Sequence, residues 1–281
     1  MSTPITISAP VSGSDKTITL EAGRLAFQAG GAVSVQIGDT VILVTATASK
    51  GVRDGIDFFP LTVDVEERMY AAGRIPGSFF RREGRASDQA TLTCRLTDRP
   101  LRPCFPDGFR NEVHIVGTIL AADLSNPYDI SMINGASAAL TISNVPFSGP
   151  IGAVRIAYSA EGTWIPHPTQ EEGDAATFEM VVAGRQIEGG DVAIVMVEAG
   201  GTERSWEYYT EQDAPKVDEA VLASGLEDAK TWINEIIDLQ LELAEKWAEA
   251  HGAVTKMDYP VQVDYSDAIY EAVTAAAGEG L

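Results

Sequence analysis

The chain has 281 residues, of which 45% are hydrophobic, and a formal net charge of −21. This length allows a sizeable core with a smaller appendage, and the composition is that of a soluble globular protein. The absence of any run of about 18 apolar residues predicts no membrane-spanning helix, and the first four residues show no secretory signal. Two cysteines and three separated histidines exclude a disulfide framework and a zinc cluster, and they indicate a reduced, cytoplasmic protein.

The order of the predicted elements is that of an α+β protein with helices packed on a mixed sheet. Residues 17–48 are predicted to be β-structure, with strands over 32–36 and 40–46. Further along the chain come a strand over 58–65, a helix over 87–98, a strand over 113–122, a buried helix over 130–143 and strands over 151–158, 163–165, 177–183 and 192–197.

Glycine, proline and serine set several of these boundaries. Gly38 and Asp39 form a turn typical of a β-hairpin. Pro60 places its strand at a sheet edge or bulge. Ser87 is predicted to cap the first helix, and Pro100 is predicted to end it near residue 98.

The composition changes after about residue 201. Residues 202–229 are acidic and are interrupted by Pro215 and Gly225, and a strong helix is predicted over 231–250. That helix has apolar residues on too many sides to stand alone, so we expect it to pack against other helices. Ser266 is predicted to cap a final helix.

Charge is distributed very unevenly. Nine of the 20 basic residues, all of them arginines, lie between residues 68 and 110, where only four acids occur. This window therefore carries a charge of +5 inside a strongly acidic chain. An acidic protein that concentrates its arginines in one segment is predicted to bind an anion there, because the rest of its surface repels one.

Two adjacent rings, Phe79 and Phe80, lie beside Arg81, Arg82 and Arg85 within this window. Arginine matches phosphate oxygens two at a time, and an exposed phenyl ring stacks on any base. Glycines and a proline flank the rings, which is typical of a loop that projects its side chains. The segment therefore predicts contacts to single-stranded nucleic acid without base preference, although buried rings with solvated arginines remain the alternative.

Arg95, Arg99 and Arg102 lie at or just beyond the end of the first predicted helix. Arg95 and Arg99 are four residues apart and so share a helix face. One interpretation is a second group of phosphate contacts behind the loop. The other is favourable interaction of guanidinium groups with the helix dipole, a structural role.

Several long motifs in this sequence resemble the first core domain of bacterial polynucleotide phosphorylase. They occupy residues 59–85 (ending in FFRREGR), 98–103, 134–140, 146–152 and 181–184. The resemblance runs from about residue 15 to 200, and residues 204–281 resemble the start of the family's helical linker domain. We therefore expect a first core domain over 1–203 and a helical linker domain over 204–281.

The resemblance implies a ribonuclease PH-like core, with ribosomal protein S5 domain 2-like βαβ units and mixed sheets with packed helices, followed by an all-α segment. It also implies a homotrimeric ring that degrades single-stranded RNA, including mRNA, from 3′ to 5′ to nucleoside diphosphates. Inorganic phosphate would be the co-substrate and Mg²⁺ the metal. A helicase or an endoribonuclease would be a possible partner. Family members normally continue through a second core and through KH and OB-type modules.

The resemblance also implies that catalysis takes place in the second core. There, a run of serines holds phosphate and two aspartates six residues apart serve metal and acid chemistry. In this chain the serine run is replaced by Pro127, Tyr128 and Asp129, and one expected aspartate is Thr177, with Glu171 six residues before it. We therefore expect no metal ligands here and no identified catalytic residue, and a core that binds RNA and builds the ring.

Three alternatives remain open. The chain could be a self-sufficient enzyme of the smaller ribonuclease PH type, although its long helical C-terminal stretch and missing carboxylate pair disfavour this. It could be an inactive structural ring subunit. Actinobacterial relatives have been linked to guanosine polyphosphate synthesis, but no nucleotide-transfer motif supports that activity here.

Overall fold

Two β-sheets form the framework of a computed structural model that describes residues 4–261 and 265–278. The first sheet has six strands in the order β1-β2-β3-β4-β6-β5, and the second has four in the order β10-β9-β7-β8. The strand bounds are β1 Ile5–Pro10, β2 Thr17–Ala22, β3 Gly31–Ile37, β4 Thr40–Ala48, β5 Leu61–Glu66, β6 Val113–Ala121, β7 Gly152–Tyr158, β8 Trp164–Pro166, β9 Phe178–Gln186 and β10 Val192–Gly201.

Within residues 4–261 and 265–278, six α-helices accompany the sheets. They are α1 Asp88–Leu101, α2 Asp129–Thr141, α3 Gln170–Asp174, α4 Ser205–Glu211, α5 Glu219–His251 and α6 Asp267–Ala277. Short 3₁₀ turns occupy Met69–Ala72 and Arg102–Cys104. None of the helices within the described ranges combines the length and apolar character needed to cross a bilayer.

Most pairings are antiparallel, but β5 runs parallel to β6 and is joined to it through α1, which makes a βαβ unit. The predicted α+β class and the hairpin at Gly38–Asp39 are confirmed. Pro60 directly precedes β5, which lies at the edge of its sheet as expected. The strand β1 was not predicted, although its residues Ile5 to Ala9 alternate between apolar and polar types.

Helix α2 lies at the centre of the core and contacts both sheets. All residues from Asp129 to Leu140 are buried, as predicted from their small, apolar side chains. Small residues allow close approach here: a Cβ atom added to Gly31 would lie 2.0 Å from the carbonyl oxygen of Ala139. Burial of apolar surface on both sides of one helix is therefore the main stabilising interaction of the core, at roughly 25 cal/mol per Å².

Two helix boundaries differ from the prediction. Helix α1 continues through Pro100 to Leu101. Pro100 lies in the last turn, where its missing N–H removes one backbone hydrogen bond, and its side chain is buried. Helix α5 begins at Glu219 and passes through Gly225 rather than breaking there. A glycine at position 225 allows α5 to pack closely against Trp164, because an added Cβ atom would lie 2.6 Å from the Trp164 ring.

The expected packing of α5 against other helices was wrong. The helix lies mainly on strands of both sheets, including β7, β9 and β1, with a smaller contact to α2. Its buried residues Ile233, Ile236 and Leu243 belong to the same cores as those strands. Residue Lys256, beyond the helix, donates to the carbonyl oxygens of Leu140 and Ser143 at the C-terminal end of α2. The proposed boundary at residue 203 remains a prediction.

Replacing Gly225 with Ala is expected to lower the free energy of unfolding by about 1 to 2 kcal/mol. Helix propensity alone would give a gain of up to ~1 kcal/mol, but the new methyl group would overlap Trp164 and force the packing apart. The exposed neighbour Ser224 is the matched control, since Ser224→Ala adds propensity without that overlap. Urea unfolding measures both; stabilisation by Gly225→Ala would contradict the prediction.

Candidate nucleic-acid interface

Phe79 and Phe80 are exposed at the surface of the long loop between the first 3₁₀ turn and α1. Their exposed fractions are 95% and 77%, and their rings contact each other edge to face with centroids 5.4 Å apart. Both rings therefore lie outside the hydrophobic core. Such rings present open faces to a base, whereas a core phenylalanine does not.

The loop is held at its base. Glu83 accepts a hydrogen bond from the backbone N–H of Met69 at 3.1 Å, and Gly73 ends the 3₁₀ turn with a φ of 67°. Arg81 has a φ of 49°, in the left-handed region, and its N–H donates to the carbonyl oxygen of Ser78. A local turn from Ser78 to Arg81 thus contains the two rings.

The loop arginines have no internal partners. Among the described residues, Arg81, Arg82 and Arg85, together with Arg74 and Arg95, make no side-chain hydrogen bond or ion pair. All five side chains are exposed. Their guanidinium groups are consequently available for an external anion, with no carboxylate to displace.

The two arginines at the end of α1 are arranged differently. Arg99 forms an ion pair with Glu198 of β10. Arg102 pairs with Asp98 and donates to the carbonyl oxygens of Phe59 and Leu61. These contacts favour the structural interpretation for Arg99 and Arg102 and leave Arg95 as the free arginine of this helix.

A concave site lies elsewhere, between the N-terminus of α2 and strands β7 and β9. Its volume is about 490 Å³, and its walls are mostly apolar, with Ile119, Leu124 and Pro168 among them. Tyr128 lines it and donates to Glu67 at 2.7 Å; burial and the Glu67 carboxylate raise the pKa of the Tyr128 hydroxyl. We refer to this site as the α2 cavity.

The floor of the α2 cavity is a cluster of three charged side chains. Arg155 of β7 donates to Asp129 through one nitrogen and to Glu179 of β9, at 2.6 Å, through the other. Asp129 is only 2% exposed, and its second oxygen accepts the backbone N–H of Ile130 at 2.8 Å. Burial lowers the pKa of Arg155, but the two carboxylates outweigh it and raise that pKa overall.

A pair of carboxylates for metal binding does not assemble at the positions that the resemblance indicates. Thr177 is buried, and its hydroxyl donates to the carbonyl oxygen of Tyr158 at 3.2 Å. Glu171 lies on α3, beside a shallow cleft with Asp174. In the described part of the chain, no three side chains of the His, Cys, Asp or Glu type form a group that could hold a metal ion. With Thr177 at one of the two positions, the pair supplies a single carboxylate, a weak site for hydrated Mg²⁺.

Comparison with known proteins agrees with this architecture. Residues 14–146 match the model of the 3′ exoribonuclease family, domain 1. The fold of the chain is therefore that of a ribonuclease PH-like domain. The crystal structure of rice (Oryza sativa) Rrp46 shares its fold with a TM-score of 0.60 at 14% identity, covering 81% of this chain and 94% of the rice chain.

Curated relatives extend the similarity beyond this ribonuclease PH-type domain. The polyribonucleotide nucleotidyltransferase of Salinispora tropica is 54% identical over 264 residues, which are 94% of this chain and 33% of the relative. Those of Parafrankia sp. and Acidothermus cellulolyticus are 53% and 54% identical over 95% and 92% of this chain. The chain therefore spans about a third of the length of these relatives.

The sequence reasoning missed the ion cluster of the ribonuclease PH-type domain. Asp129, Arg155 and Glu179 come from three elements that are distant in the chain. The sequence indicates Asp129 only as a carboxylate in place of serine, and it assigns no role to Glu179. The signal that could have indicated the cluster is Arg155 itself, a charged residue in the middle of an apolar strand.

His167 lies beside this cluster and was also missed. It is 7% exposed, and its backbone φ of 46° is in the left-handed region. The pKa of His167 is lowered to about 4, mainly by burial and secondly by the nearby Lys16 ammonium group. The imidazole is therefore neutral in the folded protein near pH 7.

We expect His167 to make the folded state sensitive to acid. The unfolded chain gains a proton near pH 6.5, and the folded chain only near pH 4, so stability is full above pH 6.5 and falls between these values. Between pH 7 and pH 5 the loss is about 2 kcal/mol. Asn tolerates the left-handed backbone, so His167→Asn should remove this part of the pH dependence. Equal pH slopes in urea unfolding of both proteins would contradict the assignment.

Proposed function

We propose that this chain is part of a phosphate-dependent 3′-to-5′ exoribonuclease that degrades single-stranded RNA, including mRNA, to nucleoside diphosphates. The polyribonucleotide nucleotidyltransferases that it matches support this activity for the intact protein. Within that protein, the chain binds RNA and contributes to a homotrimeric ring. Cleavage takes place in a part of the protein outside these 281 residues.

The observation that carries the RNA-binding role is the exposure of Phe79 and Phe80 beside arginines without partners. Two rings can stack on two bases, and Arg81, Arg82 and Arg85 can neutralise the phosphates between them. Arg95 extends this surface. Arg99 and Arg102 would have to exchange a carboxylate for phosphate, so we place them last among the proposed contacts.

The side chains of the loop and of the α2 cavity are the reason for assigning RNA binding to this chain and cleavage to another part of the protein. The loop has cations and rings but no buried nucleophile or acid, so it can position a strand and cannot cleave it. In the α2 cavity, Arg155 is already neutralised by two carboxylates. Phosphorolysis needs a cationic pocket that holds inorganic phosphate in line with the scissile phosphorus, usually with Mg²⁺. We therefore assign inorganic phosphate and Mg²⁺ to another part of the intact protein.

The proposal also includes the cell compartment and possible partners. Both cysteines are free, which suits a reducing cytoplasm. A helicase or an endoribonuclease as a partner rests on the resemblance alone.

Fluorescence anisotropy with labelled single-stranded RNA tests the RNA-binding role. The chain should bind RNAs of different sequence with similar affinity, and the affinity should fall between 50 and 200 mM salt because phosphate contacts release counterions. A labelled duplex of equal length is the control and should bind more weakly, since its bases are already stacked. Absence of single-strand binding would favour an inactive ring subunit.

A second measurement distinguishes the proposed function from that of a self-sufficient phosphorolytic enzyme. The purified chain is incubated with poly(A), phosphate and Mg²⁺, and nucleoside diphosphates are quantified. The proposal expects no release, because the two positions that the resemblance indicates for the metal supply only one carboxylate, Glu171. Release by the chain alone would identify a self-sufficient phosphorolytic enzyme.

A further inference from the structure

The α2 cavity has the features of an oxyanion site, except that its cations are already in use. Arg68, in its wall, pairs with Glu66. Arg155 is three-quarters buried at the cavity floor, and its guanidinium group points to where α2 begins. A buried guanidinium at the floor of an open cavity is a strong site for phosphate or sulfate. Here Asp129 occupies it instead.

The Asp129 carboxylate makes the contacts that a bound oxyanion would make. One oxygen accepts the N–H of Ile130 in the first turn of α2, and the other accepts from Arg155. The preceding Tyr128 gives the helix no side-chain cap, so Asp129 is the anion that meets this helix end. Glu179 holds the other side of the guanidinium group but contacts no α2 backbone N–H.

We propose that the Asp129 carboxylate occupies the position of an oxyanion in the α2 cavity and thereby prevents inorganic phosphate from binding there. A carboxylate tethered by one side chain occupies its site at a very high effective concentration, so free phosphate cannot compete with it. The consequence for the proposed function is that this domain does not retain the co-substrate. The geometry stands independently of RNA binding by the loop.

Removing the carboxylate should open the site. Asp129→Ser keeps a small polar residue suited to a helix start, leaves Arg155 paired with Glu179 and creates space next to the helix N-terminus. We expect this variant of the 281-residue chain to bind inorganic phosphate at least tenfold more tightly than the unmodified chain. Isothermal titration calorimetry without RNA and without Mg²⁺ measures this, with chloride at matched ionic strength as the reference.

Two variants distinguish this site from a nonspecific effect. Glu179→Gln also removes a carboxylate from Arg155 but leaves Asp129 in place, so it should gain no phosphate affinity. Asp129→Ser combined with Arg155→Met should lose the gain. The proposal is overturned if Asp129→Ser binds phosphate no better than the unmodified chain, if Glu179→Gln gains as much, or if the gain survives without Arg155.

A thermal measurement covers the case in which Asp129→Ser does not fold. Asp129→Ala also removes the carboxylate and leaves its space open in a residue that favours helix, so phosphate should raise its unfolding temperature more than that of the unmodified chain. An equal rise in both proteins would overturn the proposal. Because RNA is absent from every measurement, failure here leaves the RNA-binding test unaffected.

Discussion

Replacing Arg155 with Met is expected to lower the free energy of unfolding by about 3 kcal/mol. The substitution leaves Asp129 and Glu179 close together without their shared cation. Removal of one partner from a buried ion pair typically costs 3–5 kcal/mol, because an uncompensated charge remains. We expect the lower end of this range, since Glu179 keeps some contact with water.

Chemical denaturation of a small set of variants measures this effect. Combining Arg155→Met with Asp129→Asn and Glu179→Gln removes all three charges and should recover most of the lost stability. Arg99→Met is the matched control, because its ion pair with Glu198 is more than half exposed and should contribute less than about 1 kcal/mol. Similar losses for Arg155→Met and Arg99→Met would show that the α2 cavity floor is not a low-dielectric site.

Replacing both Phe79 and Phe80 with Ala should weaken single-stranded RNA binding by roughly 2 to 4 kcal/mol, about 30- to 700-fold. Each ring provides a stacking face that alanine lacks, and stacking does not depend on base identity. The loss should therefore be similar for all RNA sequences. The folding stability should change little, because both rings are exposed and contact mainly each other.

Anisotropy titrations of the assembled protein at several salt concentrations test this. The salt dependence should stay unchanged in the double alanine variant, because its phosphate contacts remain. By contrast, replacing Arg81 and Arg82 with Ala should reduce the salt slope by about 1.4. Phe27 and Trp206 are exposed aromatic residues outside the arginine-rich window, and their alanine variants are the controls. Unchanged RNA affinity of the double variant would contradict the role of the rings.

Local signals determined much of the fold. The Gly38–Asp39 turn, the Ser87 cap and the small-residue pattern of α2 each depend on residues adjacent in the chain. The course of α5 could not be read in this way. Gly225 indicates a break by propensity, but a distant ring, Trp164, decides that the helix passes through.

The candidate sites also differ in whether their residues are adjacent in the chain or come together only in the fold. The arginine–phenylalanine loop could be proposed from sequence because its charge and rings are contiguous, and exposure of the rings agrees with that proposal. The partners of Arg99 and Arg102 could not, since Glu198 lies about a hundred residues away on another strand.

By itself, the sequence determined the α+β class, the buried α2 and one basic, aromatic segment in an acidic chain, because these depend on composition, periodicity and near neighbours. Only the tertiary structure decided what the charged residues of the core do. It brings Asp129, Arg155 and Glu179 together from α2, β7 and β9. A buried charge is stable only beside its partner, and which residues become partners is fixed by the packing of a helix against a sheet, a long-range property that spacing in the chain does not encode.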